Sequence, residues 1–443
     1  MTLSARLRVL ATNDFVCSVD PRPASFGTLP GAGGLHDTIA RLQDGVPALW
    51  LDAGDFAGWS PLASLSQGRE AFAAATEFRF DATCAGNHEF DYGTGAIAEF
   101  ARNAPYPVLC ANVPSGLPAT HVASSPAGDV GLLGITMPEL GDLPALPSLV
   151  RTAISDLRAA GCTIVIVLLH DGISWTYGHA PAREADPADF LRKHGAWLNQ
   201  ADLVVAGHTL ARFLGPLGGT IVVQPWAFGA EIAIVDFDAD AGIGRVGSVM
   251  AAAGGDWRGP GRALIEQARE RRYGSLGQAA ACSLSGDRAL PDLMASAVRV
   301  AASADAALVP AAFLATQPAV DGVTAWIPAG VVDELTIQRL APYPDDQVYT
   351  CAVTQQECAN LIREFTAPAF GSPGTPNLGG SWWQYLAGRS TTGSTRTELQ
   401  LAVPDPWPKA VEQALNRAVA WSAVGVSLKQ ALRANLCACG QQP

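Results

Sequence analysis

Residues 84–93 read CAGNHEFDYG, and the apolar run DATCA leads into them. The run stops at Gly86. An amide, an imidazole and two carboxylates then follow in quick succession: Asn87, His88, Glu89 and Asp91. This is the pattern of a buried strand that ends in a sharp turn and holds polar side chains over its end. Glycine at the bend has no Cβ, so the chain can turn and place the next side chain beyond the strand. In an α/β sheet the C-terminal strand ends converge on the ligand crevice.

The same pattern recurs along the first half of the chain. Asp14 follows LRVLATN, Asp55 lies in LDAGDF, His170 in VLLHDG and His208 in VAGHTL. Glycine precedes Asp55, Asn87 and His208. One such turn is ordinary loop material. Five in order, each closing an apolar run, point to a single crevice. Carboxylate, amide and imidazole donors suit a hard-to-borderline divalent ion such as Mn, Fe, Zn or Mg.

Further strand candidates are PALWLDAG, YPVLCANV, DVGLLGIT, CTIVIVLLH, ADLVVAG and TIVVQPW. Helix-like segments lie between several of them, among them LHDTIARLQD, REAFAAATEF and LVRTAISDLRAAG. This alternation predicts an α/β layered core. Continuous apolar runs such as TIVIVLL fit strands covered on both faces. EIAIVDFDADAGIGRVGSV predicts a closing antiparallel hairpin with DADAG at its turn. The expected domains are 1–255, a helical connector over 256–282, and a smaller α+β region over 283–443. No internal repeat or heptad pattern is present.

The chain has 443 residues, of which 49% are hydrophobic and 16% charged, so a substantial core is available. A net charge of −12 argues against a nucleic-acid polymer or an anionic membrane as partner. It leaves room for a small anionic substrate, because a bound cation inverts the local field. The start, MTLSARLRVL, shows no signal peptide, and no transmembrane run is seen. Nine scattered cysteines suggest reduced thiols and a cytoplasmic setting. Cys437 and Cys439, in CACG, have no second pair nearby to form a metal site.

The ordered set ND, GD, GNHEFD, H and GH resembles the calcineurin-like metallophosphoesterases, in their 5′-nucleotidase branch. GNHEFDYG is its most specific piece, supported by GTIVVQPWAFG and VLCANV. The resemblance covers roughly residues 7–250. It continues more weakly from about 283, where IPAGVVDELTIQRLAPYPDDQVYTCAVTQQECANLI is similar to the branch's C-terminal substrate domain. It implies a sandwich of two β-sheets flanked by helices, and two adjacent metals bridged by Asp55.

One of those metals would also be held by Asn87, His170 and His208, and that set is whole. The other would use Asp14 and two histidines whose positions hold Val16 and Leu210. Both departures fall on the same metal. The expectation is therefore one tightly bound Mn, Fe or Zn, with Asp14 and Asp55 able to hold at most a weak second ion. Cys17 is expected to be buried, since it points away from residue 16. The resemblance also makes His88, oriented by Asp91, the group that stabilises the transition state or protonates the leaving oxygen.

The substrate side differs from the branch as well. Its Asn-x-Gly-x-Arg stretch aligns with residues 310–314, PAAFL. Arg212 is the nearest candidate anion partner. Trp226 and Trp382 are candidate substrate contacts, with Trp383 and Tyr385 beside the latter. Trp59, in GDFAGWSP, is a second unusual tryptophan near the metal motifs. The implied activity is metal-dependent hydrolysis of a small phosphate or related ester. A pseudoenzyme that binds without turnover, and a single-metal enzyme of non-hydrolytic chemistry, are the alternatives.

Overall fold

The computed structural model describes residues 7–175, 185–238, 242–283, 287–309, 315–343, 346–366, 388–393, 396–405 and 407–439. The chain divides into two compact units. The first runs to Arg262 apart from two short excursions, and the second takes Ala263 onward.

In the first unit the apolar runs form two six-stranded sheets. One sheet has the order Ile243–Met250, Glu231–Phe237, Leu7–Thr12, Ala48–Asp52, Ala82–Cys84, Val108–Leu109. The other has the order Phe213–Leu217, Thr220–Gln224, Leu203–Ala206, Ile164–Leu169, Gly128–Ile135, Thr120–Ser125. Leu7–Thr12 pairs in parallel with Ala48–Asp52, as do the next two pairs outward. The strands Gly128–Ile135, Ile164–Leu169, Leu203–Ala206 and Thr220–Gln224 are likewise parallel to one another. The hairpin expected at DADAG is present, with Glu231–Phe237 antiparallel to Ile243–Met250.

Alternation along the strands makes the layers. Leu7, Val9 and Ala11 from one sheet share a core with Ile164, Ile166 and Leu168 from the other. The intervening Val165, Val167 and Leu169 face outward onto Val150, Ile154 and Leu157 of the helix Leu146–Ala159. Every residue of Ile164–Leu169 is therefore buried. Each such side chain contributes about 1.5–3 kcal/mol. An aromatic group that includes Phe15, Trp50, Phe56, Phe78 and Phe80 packs at ring distances of 4.4–6.0 Å.

The second unit centres on a five-stranded sheet of order Gly388–Thr391, Ala306–Val309, Glu398–Pro404, Gln347–Thr354, Ser422–Ser427. Leu308, Cys351, Leu401 and Trp407 are in its core. The region 256–282, expected as a helical connector, differs in its second half. The helix Arg262–Glu270 ends, and Arg272–Leu276 pairs as a strand with Gly330–Asp333. The ladder and the bond from Glu334 N to Arg271 O satisfy backbone groups that a longer helix would have used internally.

Among the described residues no helix is long and apolar enough to cross a membrane. Cys17, Cys84, Cys110, Cys162, Cys282, Cys351 and Cys358 are buried free thiols, and Cys437 is exposed. Residues 310–314, Trp382, Trp383 and Tyr385 lie outside the described residues.

Candidate metal centre

Five strand ends deliver the polar residues. Asp14 follows Leu7–Thr12, Asp55 follows Ala48–Asp52, Asn87 follows Ala82–Cys84, His170 follows Ile164–Leu169, and His208 follows Leu203–Ala206. The turns are tight enough to force left-handed backbone at residues that are not glycine: Asp14 (φ 45°), Asp55 (φ 52°) and His208 (φ 73°). Such strain clusters where a structure over-determines a site. Close packing also explains two glycines. A Cβ on Gly86 would lie 2.1 Å from Asp55 Oδ1, and one on Gly54 would lie 2.9 Å from His170 Nδ1.

The donors converge. Asp55 Oδ2 is 3.0 Å and Asn87 Oδ1 is 3.1 Å from His170 Nε2. Ligand atoms of Asp55, His170 and His208 lie within 4.8 Å of one another. His170 Nδ1 lies 2.7 Å from the Ala53 carbonyl, to which it donates. With an ion bound, that bond would fix the neutral tautomer and turn the Nε2 lone pair toward the centre. A carboxylate, an amide oxygen and two imidazoles of this spacing fit one divalent ion.

Among the centre's own side chains, the Asp55 carboxylate is balanced chiefly by the His170 imidazole. Burial works to raise the Asp55 carboxyl, but His170, His88 and His208 outweigh it and hold it well below the usual carboxylate range. Burial works to lower His170, but the Asp55 carboxylate outweighs it and raises the imidazole to about 10. His208 is pushed down to about 4 by burial and then by His170. Asp14 is pushed up to about 8, first by burial, while His170 opposes.

Asp14 sits differently from the converging set. Its Oδ2 accepts the His208 N–H at 2.8 Å, and its carbonyl accepts from Phe228 N at 2.9 Å. Val16 and Leu210 keep positive φ, 43° and 58°. Val16 N donates to Asp55 O at 2.9 Å. The side chains there are aliphatic and offer no metal donor. Cys17 is buried, its thiol pushed up to about 12 by burial, and its Sγ lies 3.9 Å from the Ala71 carbonyl.

His88 Nδ1 is 2.9 Å from Asp91 Oδ2, and the His88 N–H donates to Asp55 Oδ1 at 2.9 Å. Trp59 stacks on the His88 ring at 5.6 Å and 12°. Trp226 is half-buried, and its N–H donates to Glu231. Arg212, expected to meet a substrate anion, is instead committed to Glu231. Its Nε donates at 2.8 and 3.0 Å and its Nη2 at 2.8 Å to that carboxylate, with Ser248 Oγ at 3.0 Å. A buried carboxylate already fills the guanidinium fork.

Sequence reading missed the residues that brace the centre. Glu89 accepts N–H bonds from Asp55, Ala57, Gly58 and Gly86 at 2.7–3.3 Å, tying two ligand loops together. Gln224 accepts from Ile173 N and donates to Ile173 O, Thr209 Oγ1 and Ala211 O. Asp52 accepts from Thr12, Gly54 and Thr83. Glu89 lies inside the most informative motif, yet nothing in its spacing separates a brace from a ligand.

The first unit is thus a two-sheet α/β sandwich with an acidic and imidazole centre at its strand ends. Residues 7–212 match the family model described as calcineurin-like phosphoesterase. The endonuclease YhcR of Bacillus subtilis (strain 168) is 26% identical over 274 residues, which is 53% of this chain and 22% of that protein. The snake venom 5′-nucleotidase of Crotalus adamanteus is 27% identical over 233 residues, 46% of this chain and 37% of that protein. The chain thus spans well under half the length of these curated relatives. The solved structure of a 5′-nucleotidase precursor from Thermus thermophilus superposes with a TM-score of 0.70 at 17% identity, covering 98% of this chain and 96% of that one. This likeness extends the shared fold through the C-terminal unit.

Proposed function

We propose that the first unit hydrolyses a small phosphate ester with one firmly bound divalent metal. The observation that carries this reading is the convergence of Asp55, His170 and His208 within 4.8 Å, with Asn87 Oδ1 beside them. An ion held there supplies Lewis acidity and neutralises developing negative charge. The protein's own residues do the rest. Ala53 O and Asn87 orient His170, Asp55 anchors the turn that carries His88, and Asp91 orients the His88 ring for proton delivery to the leaving oxygen. Mn, Fe and Zn all suit the donor set, and Asp14 with Asp55 leaves room for only a weak second ion.

The likeness to an endonuclease and a 5′-nucleotidase supports phosphoester chemistry, and the likeness to the venom enzyme supports a nucleotide-sized ester. Net acidity favours that over a nucleic-acid polymer. Buried, unpaired thiols support a reducing, cytoplasmic setting.

A second reading, a pseudoenzyme that binds a metal without turnover, is favoured by Val16 and Leu210. Elemental analysis and ester hydrolysis by protein purified without added metal separate the two. The expected result is about one transition metal per chain and measurable hydrolysis with Mn, Fe or Zn. His208→Ala is expected to lose both. Metal content unchanged by His208→Ala overturns the assignment, and bound metal without hydrolysis of any ester leaves the pseudoenzyme.

A further inference from the structure

Trp59 adopts a backbone conformation that its side chain disfavours. Its φ is +50°, in the left-handed region, and the residue is only 9% exposed. A bulky residue there is strained and persists only where its surroundings hold it. What Trp59 meets is the face of His88, stacked at 5.6 Å with the ring planes 12° apart. The preceding Gly58 passes so close to the His88 turn that a Cβ would lie 2.1 Å from the His88 carbonyl oxygen. Gly58 N is also bonded to Glu89 Oε1 at 3.3 Å. The Gly58–Trp59 segment is therefore seated directly on the histidine.

Several constraints then act on one imidazole. Its backbone N–H is held by Asp55 Oδ1, its Nδ1 by Asp91 Oδ2, and its face by the indole. A stacked indole opposes tilting of the ring about the Nδ1 bond. With Nδ1 at Asp91, the Nε2 edge on the opposite side of the ring is the one to meet a leaving-group oxygen.

We propose that Trp59 is a positioning residue for His88, fixing the plane in which its Nε2 delivers a proton to the departing ester oxygen. This inference rests on His88 having the proton-donor role given under Proposed function. Protonation matters most for poor leaving groups, so the indole should favour alkyl phosphate esters over aryl ones.

The test compares the wild type with Trp59→Gly, which relieves the backbone and removes the ring, and Trp59→Phe, which keeps an aromatic face. Trp59→Asn, also tolerant of positive φ, replaces the glycine variant should that fail to fold. The first readout is the His88 Nδ1–H signal in ¹⁵N-edited spectra of histidine-labelled protein, assigned by its loss in His88→Gln. It is expected to be protected in the wild type and Trp59→Phe, and to exchange with solvent at least roughly tenfold faster in the glycine or asparagine variant.

The second readout is the ratio of rates on an alkyl and a p-nitrophenyl phosphate monoester. The ratio is expected to fall roughly tenfold or more in those variants and to recover in Trp59→Phe, within the 10²–10⁴-fold that a placed general acid contributes. A wild-type signal already in solvent exchange overturns the proposal. So does protection that survives in the glycine or asparagine variant, loss in Trp59→Phe as well, or an unchanged rate ratio. If the wild type hydrolyses neither ester, the proposed function fails, and the exchange measurement still decides whether Trp59 holds His88.

Discussion

At the level of single residues, the centre is a bent backbone in which Val16 and Leu210 stand where the resemblance implies histidines. Val16 is β-branched and still has φ 43°, and Leu210 has φ 58°. Val16 N bonds to Asp55 O, so the turn forms with an aliphatic side chain in that place. Histidine tolerates this conformation better than valine. Val16→His combined with Leu210→His is therefore expected to fold, to raise the metal content from about one to about two per chain, and to increase phosphatase rate. No change in either elemental content or rate would mean that the pocket no longer accepts a second ion. Glu89 carries a different weight. Its buried carboxylate accepts four backbone N–H groups, and Glu89→Ala would leave these donors without it. Charge-assisted bonds of this kind are worth about 1.5–3 kcal/mol each, though not additively. Glu89→Ala should lower unfolding free energy by roughly 3 kcal/mol or more in denaturant titration, with metal affinity falling alongside. A loss below about 1 kcal/mol would show that water replaces the carboxylate at little cost.

At the level of elements, the strand ends do the positioning, and their glycines set the tolerance. A Cβ on Gly86 would sit 2.1 Å from Asp55 Oδ1 and 2.4 Å from Asp55 N. Neither atom can withdraw without moving the ligand loop. Gly86→Ala is thus expected to weaken metal binding at least roughly tenfold in calorimetric titration while the far-ultraviolet circular dichroism stays unchanged. Native-like affinity would mean that the loop yields more easily than its packing implies. The same strand ends explain what was legible in the sequence. Runs such as TIVIVLL and LVVAG are buried on both faces, so their apolar continuity marks them plainly. The motif order brought Asp55, Asn87, His170 and His208 to notice because each follows such a run. Edge strands were harder. Thr120–Ser125 and Phe213–Leu217 are only partly buried and carry a mixed pattern that periodicity does not separate from loop. Glu89 and Gln224 act through backbone groups far along the chain, and Arg212 finds its partner at Glu231, nineteen residues on. Pairings of this kind come from the fold and leave no local signature.

At the level of the whole molecule, the second unit carries its own buried charge, and this gives it a pH dependence separate from the metal chemistry. Glu334, whose side chain is 2% exposed, accepts from Arg433 Nε at 2.9 Å, Tyr273 Oη at 2.6 Å and Gln338 Nε2 at 2.6 Å. Arg433 also lies over the Tyr273 ring at 5.9 Å. Burial works to raise the Glu334 carboxyl, but the bonds from Arg433, Tyr273 and Gln338 outweigh it and hold it below its ordinary value. The folded state therefore binds this proton less readily than the unfolded state, whose glutamate titrates near 4.3. The stabilisation is fully present above that pH and is lost as pH falls through the lower folded value. The groups involved join the strand Arg272–Leu276 and the helices Glu334–Leu340 and Leu428–Cys439. Hydrogen exchange over residues 272–276 and 428–436 is expected to accelerate as pH is lowered below about 4.3, after correction for intrinsic rates. Glu334→Gln should remove that acid step by making the protein less stable at neutral pH, not by protecting it in acid. Leaving Arg433 buried beside a neutral amide is expected to cost on the order of 3 kcal/mol. An acid step of the same size in Glu334→Gln would place its origin in another carboxylate of the unit that is held low in the folded state, such as Glu357, which the Arg417 guanidinium holds down to about 2 and which accepts from Arg417 Nε at 2.8 Å.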